Sequence, residues 1–136
     1  MKTKLTFLLA LTFLFLFSGS VYGQEEVKKE YWDNGKVKSE THYKDGKREG
    51  QGTFTFTNGN QYIGEYRDGK REGRGTLIYT NGNEYAGEYI NNRRSGQGRF
   101  TFANGNTYEG MFLDDKFNGQ GTFRDVKAGE TYTGEW

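Results

Sequence analysis

Few side chains in this sequence are able to do covalent or acid–base chemistry, and their spacing argues against it. There is one histidine and no cysteine. His42 has no second imidazole or thiol to work with and reads as a surface or structural residue. Glu65, Glu88 and Glu135 recur at one position of a periodic pattern. On successive hairpins such carboxylates stand about 9.5 Å apart. That is too far to share one ion, whose ligands lie at about 2.3–2.6 Å. They read as a solvated face, and no metal or cofactor is expected. Gly-x-Gly recurs, as in Gly73-Arg74-Gly75, but it precedes a strand-like run and not a helix, so a phosphate cradle lacks its context. No catalytic residue is assigned, and the chain reads as non-enzymatic.

The cations hold more promise. Lys47-Arg48, Lys70-Arg71, Arg93-Arg94 and Lys116 recur once per period. Placed on connecting loops, they would form a basic comb along one edge. Such a comb can meet anionic lipid head groups, anionic glycans or an acidic partner, at about 1 kcal/mol per residue near an anionic surface. Asp45, Glu49, Asp68, Glu72, Asp114 and Asp115 lie in the same segments and offset most of that field. Basic loops also serve solubility and discourage edge pairing.

A repeating frame must hold these residues. Tyr62-Ile63-Gly64-Glu65-Tyr66 returns after 23 residues as Tyr85-Ala86-Gly87-Glu88-Tyr89, and after 23 more as Tyr108-Glu109-Gly110-Met111-Phe112. A step of 24 then gives Tyr132-Thr133-Gly134-Glu135-Trp136, with an extra loop residue near Ala128. Between them run Gly73-Arg74-Gly75-Thr76-Leu77, Gly96-Gln97-Gly98-Arg99-Phe100 and Gly119-Gln120-Gly121-Thr122-Phe123. Tyr43 and Gly50-Gln51-Gly52-Thr53-Phe54 stand one period earlier. Self-similarity at a fixed period marks a repeat architecture.

Within a unit, Thr53-Phe54-Thr55-Phe56-Thr57 and Tyr62-x-Gly64-x-Tyr66 alternate with a period of two, the pattern of a half-buried strand. Two connections join the runs. One is short, at Asn58-Gly59, Asn81-Gly82 and Asn104-Gly105; the other is glycine-rich, as in Asp68-Gly69-Lys70-Arg71-Glu72-Gly73. The expectation is all-β: a single-layer antiparallel meander of stacked hairpins, about ten strands in all.

Parity predicts the turn at Asn58-Gly59. A two-residue type I′ loop would set Thr55 opposite Tyr62 and divide the aromatic residues between faces. A three-residue loop, a type I turn followed by a left-handed Gly, keeps Phe54, Phe56, Tyr62 and Tyr66 together. The columns on that face are then Tyr62/Tyr85/Tyr108/Tyr132, Tyr43/Tyr66/Tyr89/Phe112/Trp136 and Phe54/Leu77/Phe100/Phe123. Gly52, Gly64, Gly75, Gly87, Gly98, Gly110 and Gly121 share the face and leave bare backbone on which rings lie flat. Each ring so packed buries ~150–250 Å², which lets a chain poor in aliphatic residues hold a core.

The pattern Tyr-x-Gly-Glu-(Tyr/Phe/Trp), then Gly-x-Gly-(Thr/Arg)-(Phe/Leu), then Asn-Gly, resembles the MORN repeat (membrane occupation and recognition nexus). The likeness covers about Tyr43 to Trp136, with units beginning near 43, 62, 85 and 108 and a partial one from 132. Tyr31-Trp32-Asp33-Asn34-Gly35-Lys36-Val37-Lys38-Ser39-Glu40 opens an atypical first unit, residues 31–42, similar to the variant repeat of bacterial antitoxin-like proteins. There Ser39 and Thr41 stand where Tyr62 and Gly64 stand one period later, as befits a capping unit. The resemblance implies a twisted single-layer sheet and a non-catalytic module. It also implies protein scaffolding or membrane and phosphoinositide association, as in junctophilins and plant phosphatidylinositol phosphate kinases. No kinase domain follows these repeats in the sequence.

The amino end differs in composition. Lys2 and Lys4 precede the apolar run Leu5–Phe17, and Val21 and Gly23 are small residues at −3 and −1 before Gln24. That is the layout of a secretory signal peptide over residues 1–23. The run reaches roughly 20 Å as a helix, short of the ~30 Å hydrocarbon core; an uncleaved membrane anchor is the alternative. Residues 24–30 read as a charged linker. Without Lys2 and Lys4 the formal charge falls from +1 to −1, which does not suit nucleic acid. The expected function is an exported scaffold, periplasmic, envelope-bound or secreted, that binds a protein partner. Anionic lipid bound through the comb and glycan bound through exposed aromatics are the alternatives.

Overall fold

The computed structural model describes residues 25–136. They form one open antiparallel sheet of ten strands, each hydrogen-bonded to the next in chain order. The strands are β1 (Glu25–Tyr31), β2 (Val37–Lys44), β3 (Lys47–Thr55), β4 (Gln61–Arg67), β5 (Lys70–Ile78), β6 (Glu84–Ile90), β7 (Arg93–Thr101), β8 (Thr107–Leu113), β9 (Lys116–Asp125) and β10 (Glu130–Glu135). The all-β meander is therefore the observed fold. The signal-peptide helix expected over residues 1–23 lies outside the described residues.

One boundary is corrected. The segment expected as a linker is strand β1, paired with β2 from Glu25↔Lys44 to Tyr31↔Val37. Its high charge hid an alternation: Glu26, Lys28 and Glu30 are half-buried and their neighbours exposed. Lys28 sits 4.8 Å over the Tyr43 ring, and Glu30 accepts a 2.7 Å hydrogen bond from the Ser39 hydroxyl. Aromatic and hydroxyl partners thus make an edge strand from charged residues.

The turn at Asn58-Gly59 has the three-residue form that parity requires. Phe54 pairs with Tyr62 and Thr55 with Gln61. Phe56 N–H donates to the Asn60 carbonyl at 2.8 Å and Gly59 N–H to the Phe56 carbonyl at 2.9 Å. Gly59 has φ 88°, in the left-handed region that favours glycine. The glycine-rich connection, by contrast, is not a loop. Arg67 pairs directly with Lys70, so Asp68 (φ 50°) and Gly69 (φ 80°) form a two-residue type I′ turn. Everything after it belongs to β5. Gly73, at φ 78°, lies within that strand at the bulge opposite Gly64–Tyr66.

The core lies on one face. Tyr62, Tyr66, Leu77, Tyr85, Tyr89, Phe100, Tyr108 and Phe112 are buried, three of them completely. The rings rest on glycine: a Cβ built on Gly75 would lie 2.5 Å from Tyr62 Cε2, and one on Gly98 would lie 2.6 Å from Tyr85 Cε2. Ring edges meet ring faces along the array, as in Tyr62–Tyr89 at 5.2 Å and Tyr85–Phe112 at 4.9 Å. The first unit departs from this scheme, because the Thr41 side chain covers Gly52. Tyr132, on the edge strand β10, is half exposed.

Candidate functional site

Over the central strands the aromatic face is closed by its own packing, while Tyr132 and Trp136 stay exposed at its carboxyl-terminal end. The hydroxyls of Tyr62, Tyr85 and Tyr108 donate to the carbonyls of Glu65, Glu88 and Met111 at 2.9, 2.8 and 3.0 Å. Those carbonyls sit where the bulge interrupts pairing with the next strand. Burial pushes the Tyr62, Tyr85 and Tyr89 phenols well above the ordinary tyrosine value, so they stay neutral. In the first unit Glu30 bonds to Ser39 and to Arg48. Burial works to raise its pKa, but the Ser39 hydroxyl and the charges of Lys38 and Arg48 prevail and hold it below the usual carboxylate range.

The expected basic comb divides between the two faces. Arg48, Arg71 and Arg94 lie over rings, at 4.8 Å from Phe54, 5.0 Å from Tyr89 and 5.5 Å from Tyr85. They also stitch successive turns. The Arg71 side chain donates to the Asn92 carbonyl at 2.6 Å, and its backbone N–H to Asn92 Oδ1 at 2.8 Å. Asn92 N–H returns a bond to the Arg71 carbonyl at 3.0 Å. Arg94 repeats the arrangement with Asp115. These arginines are structural clamps.

Lys47, Lys70, Arg93 and Lys116 occupy strand starts on the opposite face, all exposed. Their cross-strand partners share that face: Lys44↔Lys47, Arg67↔Lys70, Ile90↔Arg93 and Leu113↔Lys116. Lys44 and Arg67 thus join a row that the sequence pattern did not assemble. The signal was available in the two-residue turn, which makes the residues on either side of it direct neighbours.

The rest of this polar face is an open groove of about 860 Å³ across β3–β10, lined by Gln51, Ile63, Arg74, Glu88, Gln97 and Thr133 among others. Glu65 Oε1 accepts the Arg74 N–H at 3.3 Å, Glu135 accepts from Gln120 at 3.0 Å, and Arg99 pairs with Glu109 at 3.3 Å. Two of the recurrent glutamates are therefore tied into the sheet itself. His42 is exposed beside a separate shallow hollow with Val27. Among the described residues no three His, Cys, Asp or Glu side chains converge.

No curated protein sequence matches the chain significantly. The family model described as MORN repeat matches residues 42–61, 62–84, 85–107 and 108–127. MORN repeats are commonly protein- or membrane-lipid-interaction modules and are typically non-enzymatic. The four matches run without a gap over more than half of the sequence, and the last three coincide with the ring-on-glycine hairpins: the chain belongs to the MORN repeat family.

Proposed function

We propose that the chain is an exported, non-enzymatic scaffold that binds protein through the polar face of its sheet. The observation that carries this reading is the division of the faces. Rings and three arginines seal one side, while the other keeps an open groove of about 860 Å³. A repeat array offers such an extended surface without a reactive centre. The lipid alternative drew on a comb of seven cations, of which Arg48, Arg71 and Arg94 are committed to rings. The glycan alternative needs exposed rings; the central tyrosines Tyr62, Tyr85 and Tyr108 are 0% exposed, and the exposed ones, Tyr31, Tyr132 and Trp136, stand at opposite ends of the sheet. The first unit, similar to the antitoxin-type variant, acts in this reading as a cap.

A photo-crosslinker at Thr76, on the polar face, or at Phe54, on the aromatic face, tests the proposal in an envelope or secreted extract. Crosslinks to one protein from Thr76 alone are expected. Equal labelling from both positions, or none from Thr76, overturns it. Export is checked by mass spectrometry of the exported fraction, where the amino terminus is expected at Gln24. A membrane-retained chain beginning at Met1 favours the anchor instead.

A further inference from the structure

Taking the polar face as the protein-binding side, we infer that the partner is a segment in the polyproline II conformation, laid along the groove that crosses β3–β10. The groove is made by glycine. Glycine stands opposite glycine from Gly52 in β3 through to Gly134 in β10, and Tyr62, Tyr85 and Tyr108 cover this line from the other face. On the polar face the residues before and after each glycine rise as two walls. Their backbones are about 6.8 Å apart, too close to seat an α-helix of about 10–12 Å diameter. One wall carries the middle residue of each Gly-x-Gly: Gln51, Arg74, Gln97 and Gln120, all exposed. The other includes Ile63, Thr76 and Ala86.

Those middle residues are hydrogen-bond donors set once per two strands, about 9.5 Å apart. A polyproline II chain makes no internal hydrogen bonds and turns once in three residues, about 9.3 Å. Its carbonyls are free to accept, and one per turn returns to the donor wall at the spacing the wall offers. From Gln51 to Gln120 the two ladders drift by less than about 1 Å. An extended strand repeats after about 6.7 Å and an α-helix after about 5.4 Å, so neither stays in step. The hand agrees too: successive strands rotate by about −20 to −25°, and polyproline II is likewise left-handed. Following the groove asks for about 15° more turn per residue, within the scatter of real backbone dihedrals. Gln97 and Gln120 each direct one amide N–H to a neighbour, Met111 Sδ at 2.9 Å and Glu135 Oε1 at 3.0 Å, and keep a second. Charge disfavours other occupants. Among the lining side chains Glu65, Glu88 and Glu109 stand with Arg74 and Arg99, and Arg99 is paired with Glu109 at 3.3 Å. So balanced a groove attracts neither an anionic bilayer nor a nucleic acid, and it suits an uncharged chain rich in carbonyl groups. One residue per turn meets the glycine floor and has to be small.

The test measures anisotropy of a fluorescein-labelled peptide of about a dozen residues built from repeated Pro-Pro-Ala, long enough to span the ~29 Å donor wall. A Gly-Ser-Ala peptide of the same length is the flexible control. The proline peptide is expected to bind, and the control at least about fivefold more weakly, because it has to be ordered on binding. Gln51→Ala/Arg74→Ala removes two donors and should lower affinity about tenfold. Ala86→Leu fills the groove and should lower it as much. Lys70→Gln, on the same face outside the groove, should bind as the parent does, and melting curves verify that each variant is folded. No binding of the proline peptide, equal binding of the flexible control, or binding indifferent to both Gln51→Ala/Arg74→Ala and Ala86→Leu overturns the inference. Thr76 crosslinks to a protein that survive Gln51→Ala/Arg74→Ala would discard the polyproline II segment and leave the protein-binding reading standing.

Discussion

Tyr62 and Tyr89 pack their rings 5.2 Å apart, yet their hydroxyls have opposite energetic standing. The Tyr62 hydroxyl has a carbonyl partner at 2.9 Å. That of Tyr89 is buried with none. Tyr62→Phe is expected to cost about 1–3 kcal/mol, because it strands the Glu65 carbonyl. Tyr89→Phe should be neutral or stabilise by up to about 1 kcal/mol, as it removes an unpaired polar atom. Phe112 already fills the same place one repeat later. Denaturation midpoints of the two variants check both signs. Glycine gives a second contrast. A Cβ on Gly87 would lie 2.6 Å from the Gly98 backbone, whereas Ala86 points to the open groove. Gly87→Val should therefore lower Tm far more than Ala86→Val, and equal shifts would remove the ring-on-glycine account.

At the scale of elements, the Asn-Gly-Asn turns are linked as well as formed. Asn83 Oδ1 accepts the Ala103 N–H at 2.9 Å, just as Asn60 accepts from Thr80 and Asn106 from Val126. Asn83→Ala should cost about 1 kcal/mol and speed hydrogen exchange at Ala103, measured residue by residue. The first asparagine of each turn was legible in the sequence, and so was the three-residue loop, because period-two alternation leaves only one parity that keeps the aromatic residues together. The second asparagine was not, because its partner lies 20 residues away. The other turn was misread for a physical reason: glycine stands both in the turn, at Gly69, and at the bulge, at Gly73, so the whole stretch looked like one loop. Asn91-Asn92 and Asp114-Asp115 make the same turn with positive φ and no glycine at all. That misreading put Arg48, Arg71 and Arg94 on a solvated comb. The identity of the cations was readable, but the face each one takes depends on which two residues turn the chain.

For the whole molecule, the tyrosines set an alkaline limit. Tyr62, Tyr85 and Tyr89 have phenol pKa values raised by burial, so the native state holds protons that the unfolded chain releases near pH 10. Their contribution is complete below that pH and is lost as pH rises toward the native values. Unfolding by circular dichroism should accompany tyrosinate absorbance above about pH 10; free titration in a folded protein would contradict the burial. The array should also tolerate loss of one full period. Removing 85–107 rejoins equivalent positions and is expected to give a folded protein of lower Tm, since each unit touches only its neighbours.

Neighbour-only pairing has a consequence for how the fold is reached. Each strand bonds to the strand just made, and the bonds between successive turns reach back only 21 residues. No early segment has to wait for a late one, which keeps contact order low and assembly quick. A chain leaving a narrow channel amino end first can lay down hairpin upon hairpin as it emerges, each new ring settling on glycine supplied 13 residues later, as Tyr62 does on Gly75. The partly emerged protein then differs from the finished one in length and not in kind.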